Sequence, residues 1–284
     1  MSVRIIIDSA SDLSKEQADA LGLDYLPLKT IFGDEEYLDG VTLSHREFYE
    51  KLIESGIFPT TSQVAPHEFE QKYKEIKKAG DTAVVITISS LLSGTYQSAN
   101  IALEGYEDCI RVVDSKNLCI GEQNLVMYAV KLRDEGYSAD EIERELNDKK
   151  HRICLLAVFD TLEYLRRGGR LSSTAAWAGN LLSIKPVISV EKGEVVIMGK
   201  ARGSKNGNNI LIQQIAAKGG IDFSMPYRVG YTGLEDSYLK KYLQDSSSLW
   251  ENEVRIEDIP VSSVGSTVGT HAGPGAIAVS FFHK

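Results

Sequence analysis

The chain has 284 residues, of which 43% are hydrophobic and 25% charged, with a net charge of −9 and a pI near 5.2. This composition is typical of a folded globular protein with two domains or one large one, and it excludes disorder and collagen-like repeats. The acidic charge balance disfavours general nucleic-acid binding. The first apolar run, residues 3–7, is too short for a signal peptide or a membrane span, so we expect a cytoplasmic protein without stable membrane insertion.

The first half of the chain alternates short β-branched runs with helical patterns. Strands are predicted at residues 3–7, 24–32, 82–88, 110–113 and 152–159. Helices are predicted at residues 14–21, 44–54, 95–103, 121–135 and 138–149, several of them opened by a capping box. Such alternation indicates a parallel α/β sheet, which we assign to an N-terminal domain of residues 1–159.

After Phe159 the pattern changes to a mixed α+β arrangement, assigned to a C-terminal domain of residues 160–284. A short helix is predicted from Asp160 to the glycines at 168–169, and an apolar helix at 174–182. Residues 185–190 and 194–201 are typical of a hairpin around Lys192 and Gly193. Further helices are predicted at 206–217 and 235–244, and further strands at 227–231, 254–258 and 276–282. The expected fold class is therefore α/β, with an N-terminal parallel-sheet domain and a C-terminal mixed α+β domain.

Polar side chains follow the predicted strands, at the sheet edge where α/β proteins bind ligands. Ser93, Gly94 and Thr95 lie on a strand-to-helix turn, where free backbone N–H groups and the helix dipole favour an anion. The same residues are also common as simple helix caps. Other hydroxyl groups at predicted strand ends are those of Ser9, Ser11, Ser115 and residues 60–62.

One histidine stands in an unusual setting. His271 lies within residues 269–275, a glycine-rich stretch that we predict to be a loop. Glycines let the backbone approach a ligand closely, although a tight turn before the last strand would also use them. The other histidine with a suggestive neighbour, His67, lacks the second histidine of a zinc-protease helix and is expected at the surface.

Several motifs for catalysis or cofactor binding are missing. The chain has neither a Gly-x-x-x-x-Gly-Lys-Ser/Thr phosphate loop nor a Gly-x-Gly-x-x-Gly sequence after the first strand, so no nucleotide site and no cofactor are expected. Its three cysteines show no Cys-x-x-Cys spacing, which indicates reduced, partly buried thiols rather than a metal site. Arg166, Arg167 and Arg170 end a predicted helix, where they suit either the helix C-terminus or an anionic partner.

Seven segments, taken together and in this order, resemble the DegV family. They are residues 8–12, 61–63, 89–99, 113–116, 162–170, 184–186 and 269–275. The resemblance spans nearly the whole chain. It departs from the family pattern at Ala10, where threonine is frequent, and at residues 64–66 after the Thr-Ser-Gln step, without removing a polar group that the site needs.

The resemblance implies a bacterial carrier with a long-chain fatty acid in a tunnel near the domain junction, and not an enzyme in its own right. The partner that it implies is a separate ATP-dependent fatty acid kinase, which converts the acid to acyl phosphate for phospholipid synthesis. By motif position, the residues expected to bind the carboxylate are Thr61, Ser62, Ser93, Gly94, Thr95 and His271, with the histidine protonated or acting as a donor. Arg170 and Arg202 are assigned to contacts with the kinase or the developing phosphate, a surface salt bridge being the alternative.

Two other functions fit the same residues. Ser93, His271 and an acid such as Asp114 could form a hydrolase triad acting on acyl esters. However, Leu91 stands where a Gly-x-Ser-x-Gly elbow would have its first glycine. A sensor or interaction protein, for which the lipid is only a structural filler, is the third candidate.

Overall fold

The computed structural model describes residues 2–171 and 184–284, so the apolar helix predicted at 174–182 lies outside the described residues. The strands in the described ranges are β1 (Val3–Asp8), β2 (Asp24–Leu26), β3 (Lys29–Phe32), β4 (Glu35–Leu38), β5 (Thr60–Ser62), β6 (Thr82–Thr87), β7 (Ile110–Asp114), β8 (Ile153–Val158), β9 (Ile184–Glu191), β10 (Glu194–Arg202), β11 (Tyr227–Tyr231), β12 (Val261–Ser263) and β13 (Ile277–Phe282). The helices are α1 (Lys15–Ala20), α2 (His45–Glu54), α3 (Pro66–Ala79), α4 (Thr95–Ile101), α5 (Cys119–Asp134), α6 (Ala139–Lys149), α7 (Glu163–Arg167), α8 (Ser204–Ala217), α9 (Ser237–Asp245) and α10 (Ser266–Ala272).

The first sheet is parallel, with strand order β2-β1-β6-β7. Its central strands β1 and β6 are apolar and largely buried, as expected when helices cover both faces. The predicted capping boxes at Ser14 and Ser44 are formed and each begins a helix, and a third capping box at Ser138 begins the helix predicted there. The α/β character expected of the N-terminal half is confirmed.

The prediction of one continuous strand at residues 24–32 is wrong, because β2 ends at Leu26 and β3 begins at Lys29. Pro27 has no backbone N–H and cannot extend the ladder through this point. The chain then enters a small antiparallel sheet of order β4-β3-β5. In this sheet Thr61 of β5 pairs with Thr30 of β3, which fixes the position of one predicted site residue.

The second sheet is mixed, with strand order β10-β9-β8-β13-β11-β12. Strand β8 was expected in the parallel sheet but pairs antiparallel with both β9 and β13. All of its residues are buried, and an uninterrupted apolar run does not reveal which sheet it joins. The domain boundary near Phe159 stays a prediction.

The hairpin of β9 and β10 is confirmed, with positive φ at both Lys192 and Gly193, as a type I′ turn requires.

The strand predicted at 254–258 is wrong, since Ile256–Asp258 forms a 3₁₀ turn and the strand begins only at Val261. Pro260 separates the two and has no N–H to donate to a sheet.

Helix α5 contacts strands of both large sheets and is buried along most of its length. The three cysteines are free and buried, and no helix within the described ranges is long and apolar enough to cross a membrane.

Candidate functional site

An apolar cavity of about 350 Å³ lies against the mixed sheet, and its size is within the usual range for small-molecule sites. The mixed sheet supplies much of its wall, and helix α10 and the loop after β6 supply other parts. Representative apolar lining residues are Leu155, Ala157, Ile188, Val190, Val195 and Val268. Such a wall offers no hydrogen bonds, so it suits a hydrocarbon chain.

Polar groups gather at one part of this cavity. Thr61, Ser62, Ser93, Gly94 and His271, which the resemblance assigns to the carboxylate, all line it, and so does Arg170. They come from four separate places in the chain: strand β5, the turn before α4, the segment after α7, and α10. The tertiary fold therefore assembles five of the six residues expected to bind a carboxylate.

The closest contact in this group joins Thr61 and His271. The Thr61 hydroxyl lies 2.9 Å from Nε2 of the imidazole. Nδ1 is buried and has no hydrogen-bond partner among the described residues. A Cβ placed on Gly168 would lie only 2.0 Å from Nδ1, so glycine at this position is what leaves room for the imidazole. Gly168 received no site role in the sequence prediction, because a glycine after a helix is typical of an ordinary helix end.

Burial, together with the positive charge of Arg170, lowers the pKa of His271 to about 4. Of the two forms expected from the sequence, the neutral imidazole is therefore the one that the site favours near neutral pH. A neutral imidazole carries a single N–H, and the other ring nitrogen is an acceptor.

In the turn before α4, some polar groups form hydrogen bonds with each other. The Ser93 hydroxyl lies 2.9 Å from the Thr95 hydroxyl and accepts the Thr95 N–H at 3.3 Å. Thr95 is fully buried and does not line the cavity, so its expected role at the carboxylate is not supported by its position. A Cβ on Gly94 would lie 1.9 Å from Oε1 of Gln63, so the glycine makes space for that amide.

Gln63 also lines the cavity, although the Thr-Ser-Gln motif predicted no role for it. Its Nε2 donates to the Ser98 hydroxyl at 2.7 Å, which ties β5 to helix α4. The position of Gln63 directly after Thr61 and Ser62 is the sequence feature that could have indicated a place at the site.

The loop prediction for 269–275 is wrong in part, because His271 lies in the last turn of α10. This helix is capped by Gly273, which has a φ of 69°.

The glycine inside α10 has a packing role. A Cβ on Gly269 would lie 2.6 Å from the Phe48 ring and 2.7 Å from the Tyr49 hydroxyl, so the helix lies directly against α2. In the sequence this glycine favoured a loop, since glycine weakens isolated helices. Its actual function is to allow close helix contact.

The remaining predicted residues lie in two kinds of place. Arg170 lines the cavity while its guanidinium donates to the carbonyls of Leu92 and Gly168, at 3.2 and 2.6 Å. Arg202 is the exposed last residue of β10 and does not line the cavity. The hydroxyls of Ser9, Ser11 and Ser115 are buried in loop hydrogen bonds. Ser9 accepts from the N–H of Leu28, Ser11 donates to the carbonyl of Asp8, and Ser115 donates to the carbonyl of Asn117.

A hydrolase triad is not assembled. In the described part of the chain, neither Ser93 nor Asp114 forms a hydrogen bond to His271, whose recorded partner is Thr61. Asp114 instead forms an ion pair with Lys116 at 2.7 Å and accepts two backbone N–H groups. Without a base beside the serine and an acid beside the histidine, the chemistry of that candidate has no support in the geometry.

Buried carboxyl groups lie outside the cavity, around the loop after β1. Burial raises the pKa of Asp8 to about 7, although the N–H groups of Ile88 and Ala10 donate to it and partly oppose the rise. Burial also raises the pKa values of Asp12 and Glu122. Among residues 2–171 and 184–284, no group of three or more histidine, cysteine or acidic side chains could hold a metal ion.

Comparison with known proteins agrees with this architecture. The family model described as "uncharacterised protein, DegV family" matches residues 2–284. The chain belongs to the DegV family. A DegV domain-containing protein of Caldanaerobacter subterraneus is 35% identical over 283 residues, covering 99% of each chain.

Solved structures of DegV proteins share the fold. A DegV family protein from Thermus thermophilus, reported for its fatty acid binding, matches with a TM-score of 0.88 and 29% identity over 100% of both chains. DegV from Bacillus subtilis, described as a fatty acid binding protein, matches with a TM-score of 0.83 and 30% identity, again over 100% of both chains. The expected family and fold class are confirmed.

Proposed function

We propose that this chain binds one long-chain fatty acid and presents its carboxylate to a separate ATP-dependent kinase. The observation that carries the proposal is an apolar cavity with the Thr61 and His271 pair among its few polar lining groups. The fatty acid binding described for DegV relatives from Thermus thermophilus and Bacillus subtilis supports the same ligand class.

The hydrocarbon tail would provide most of the affinity. Each buried methylene contributes about 0.8 kcal/mol, so ten of them contribute about 8 kcal/mol before the cost of association. Tail burial therefore favours retention of a lipid, but it does not select an acid over an alcohol.

The carboxylate requires hydrogen-bond donors, because a buried charge without them is costly. In our proposal His271 is neutral and its Nε2–H donates to the Thr61 oxygen, 2.9 Å away. The Thr61 hydroxyl hydrogen is then free to point at the ligand. Ser62, Ser93 and the Gly94 backbone would provide further polar contacts beside it, and the Arg170 guanidinium would contribute positive charge.

The phosphoryl transfer would take place on the partner, since this chain has no phosphate-loop motif. A carboxylate oxygen of the bound acid would attack the γ-phosphorus of ATP, forming an acyl phosphate and releasing ADP. Arg170 beside the cavity and the exposed Arg202 are the residues that we assign to the kinase or the transferring phosphate. The acyl phosphate would supply phospholipid synthesis in the cytoplasm.

Mass spectrometry of the extracted protein tests the ligand. Gently purified protein should release about one equivalent of long-chain fatty acid, and the delipidated protein should rebind palmitate. Thr61→Val should then weaken palmitate binding about ten-fold, as expected when one hydrogen bond to a charged group is lost. Thr60→Val, at the exposed neighbouring position of the same strand, is the matched control and should bind as the unaltered protein does. An empty extract from folded protein that ignores added palmitate contradicts the proposal.

A second assay tests the partner. Palmitate-loaded protein, ATP and a purified fatty acid kinase should yield a product that hydroxylamine traps as the hydroxamate. The reaction should depend on this chain when free palmitate is kept scarce. If the kinase uses the loaded protein no better than it uses the same concentration of free palmitate, the carrier role is wrong while fatty acid binding stands.

A further inference from the structure

Helix α10, which carries His271, has only seven residues and cannot be stable by itself. Its first backbone N–H groups have no partner inside the helix and need acceptors from elsewhere. Two buried aspartate side chains from the N-terminal part of the chain provide them. Asp39 accepts from the N–H groups of Ser266 and Thr267 at 2.8 and 3.2 Å, and Asp12 accepts from the Gly265 N–H at 2.7 Å.

The Asp39 carboxylate also organises a chain of side-chain hydrogen bonds. The Ser266 hydroxyl donates to Asp39 at 2.8 Å, so its single hydrogen is already used. The Thr30 hydroxyl, 2.8 Å from the Ser266 hydroxyl, must therefore donate to it. Because a carboxylate only accepts, the direction of every bond in this chain is fixed.

These bonds link the two elements that carry Thr61 and His271. Thr30 is paired in the antiparallel sheet with Thr61, and Thr61 contacts His271 at the other end of the same short helix. The bond between Thr30 and Ser266 joins β3 to α10 directly. Asp39 holds the Ser266 hydroxyl and the first N–H groups of α10, and its own N–H donates at 3.0 Å to the carbonyl of Leu28, the residue before β3. Asp39 therefore supports the contact between Thr61 and His271 by bonding to both elements.

We infer that Asp39 is a positioning residue for the carboxylate site: by holding α10 and β3 together, it sets the distance between Thr61 and His271. This inference rests on the proposed function. Asp39 does not line the cavity, so its effect on a ligand would be indirect. It should matter for a ligand with a charged head and be irrelevant to one that is held by its tail alone.

The test compares myristate with 1-tetradecanol in competition against a fluorescent fatty-acid analogue. Asp39→Asn keeps the shape of the side chain but replaces one acceptor oxygen with an amide donor. We expect it to weaken myristate binding about ten-fold, in proportion to the loss of about one hydrogen bond at the charged head, while tetradecanol binding changes less than about two-fold. Ser266→Ala keeps both backbone bonds to Asp39 and should weaken myristate about three-fold.

Asp222→Asn is the matched control. Asp222 accepts the N–H and the hydroxyl of one serine, Ser224, as Asp39 does with Ser266, but among the described residues its other side-chain partner is Arg152 and it has no hydrogen bond to α10 or β3. The Asp222→Asn substitution should leave the binding of both myristate and tetradecanol unchanged. Equal myristate affinity in Asp39→Asn and Asp222→Asn overturns the inference, and so does an equal loss of acid and alcohol binding. If Asp39→Asn does not fold, Ser266→Ala decides by the same criteria.

A spectroscopic measurement separates this inference from the proposed function. The ¹⁵N signals of the His271 imidazole, assigned with His271→Gln among the five histidines, report the tautomer and the bond to Thr61. We expect Asp39→Asn to shift these signals in the ligand-free protein and Asp222→Asn to leave them in place. Unchanged signals contradict the positioning role. A shift in a protein that binds no fatty acid contradicts only the proposed function.

Discussion

The loop after β1 and the loop after β6 leave adjacent strands of one parallel sheet and carry similar polar residues, yet only the second opens onto the cavity. In the first loop Asp8 accepts two backbone N–H groups, and Ser11 donates to a carbonyl in its own turn. In the second, Ser93 and Gly94 line the cavity. Polar residues at a strand end are thus insufficient to indicate a ligand. A ligand site also needs polar groups that face open space instead of being used up by neighbouring backbone.

The largest expected effect belongs to the first loop and concerns stability. Burial raises the pKa of Asp8 from its ordinary 3.8 to about 7, a difference equivalent to at most about 4 kcal/mol. A carboxyl with a raised pKa stabilises the fold fully below pH 3.8, and this stabilisation is lost as the pH rises through 7. Urea unfolding of Asp8→Asn between pH 4 and 8 should therefore show a flatter decline than the unaltered protein.

The comparison also predicts what Asp8→Asn leaves alone. Palmitate affinity at constant pH should stay within about two-fold, a difference of only a few tenths of a kcal/mol, since the loop does not face the cavity. If the unfolding free energies of Asp8→Asn and the unaltered protein fall equally with pH, Asp8 is ionised in the folded protein. A large loss of palmitate binding would instead mean that the two loops do not differ as described.

His271→Ala should have the next largest effect, on binding. Losing its contact with Thr61 should weaken palmitate binding by about 1–3 kcal/mol, or roughly five-fold to 150-fold. Isothermal titration measures this directly. His67→Ala, at an exposed histidine of α3, is the control and should bind normally. Normal binding by His271→Ala as well would place the carboxylate elsewhere.

The same histidine predicts a pH dependence of opposite sign to that of Asp8. Its pKa is lowered from 6.5 to about 4, so its contribution to stability is present above pH 6.5 and is lost as the pH falls through 4. Unfolding of His271→Gln should accordingly be less sensitive to acid over this interval. An identical acid dependence in both proteins would indicate that the imidazole is protonated in the fold.

The smallest effects come from a pair of serines, one in each loop. Ser93→Ala should weaken palmitate binding by about 1 kcal/mol, because the hydroxyl lies at the cavity. Ser11→Ala should cost about 1 kcal/mol of unfolding free energy, because its hydroxyl donates to the Asp8 carbonyl, and should leave binding unchanged. Interchanged results, with Ser11 affecting binding and Ser93 only stability, would reverse the assignment of the two loops.

Local signals in the sequence predicted much of the fold. The capping box at Ser44 and the Lys192-Gly193 turn are short-range features that need no knowledge of the rest of the chain. Sheet membership is a long-range property, and the apolar run of β8 fits either sheet equally well. The role of Gly269 depends likewise on helix α2, more than 200 residues earlier, so its sequence context predicted a loop.

In the candidate site too, some residues are indicated by local motifs and others depend on distant contacts. Family motifs indicated Thr61, Ser93 and His271, and the fold brings all three to one cavity. The role of Asp39 depends on hydrogen bonds across 227 residues, and its sequence neighbourhood contains no signal for them. Thr95 shows the converse, because its hydroxyl and N–H are used by Ser93 two residues away.

The position of a bound carboxylate tests the central claim most directly. A crystal structure of the palmitate complex should place one carboxylate oxygen about 2.7 Å from the Thr61 hydroxyl, with the tail along Leu155, Ile188 and Val190. A carboxylate bound at another surface, or a tail outside this cavity while protein side chains fill it, would contradict the account.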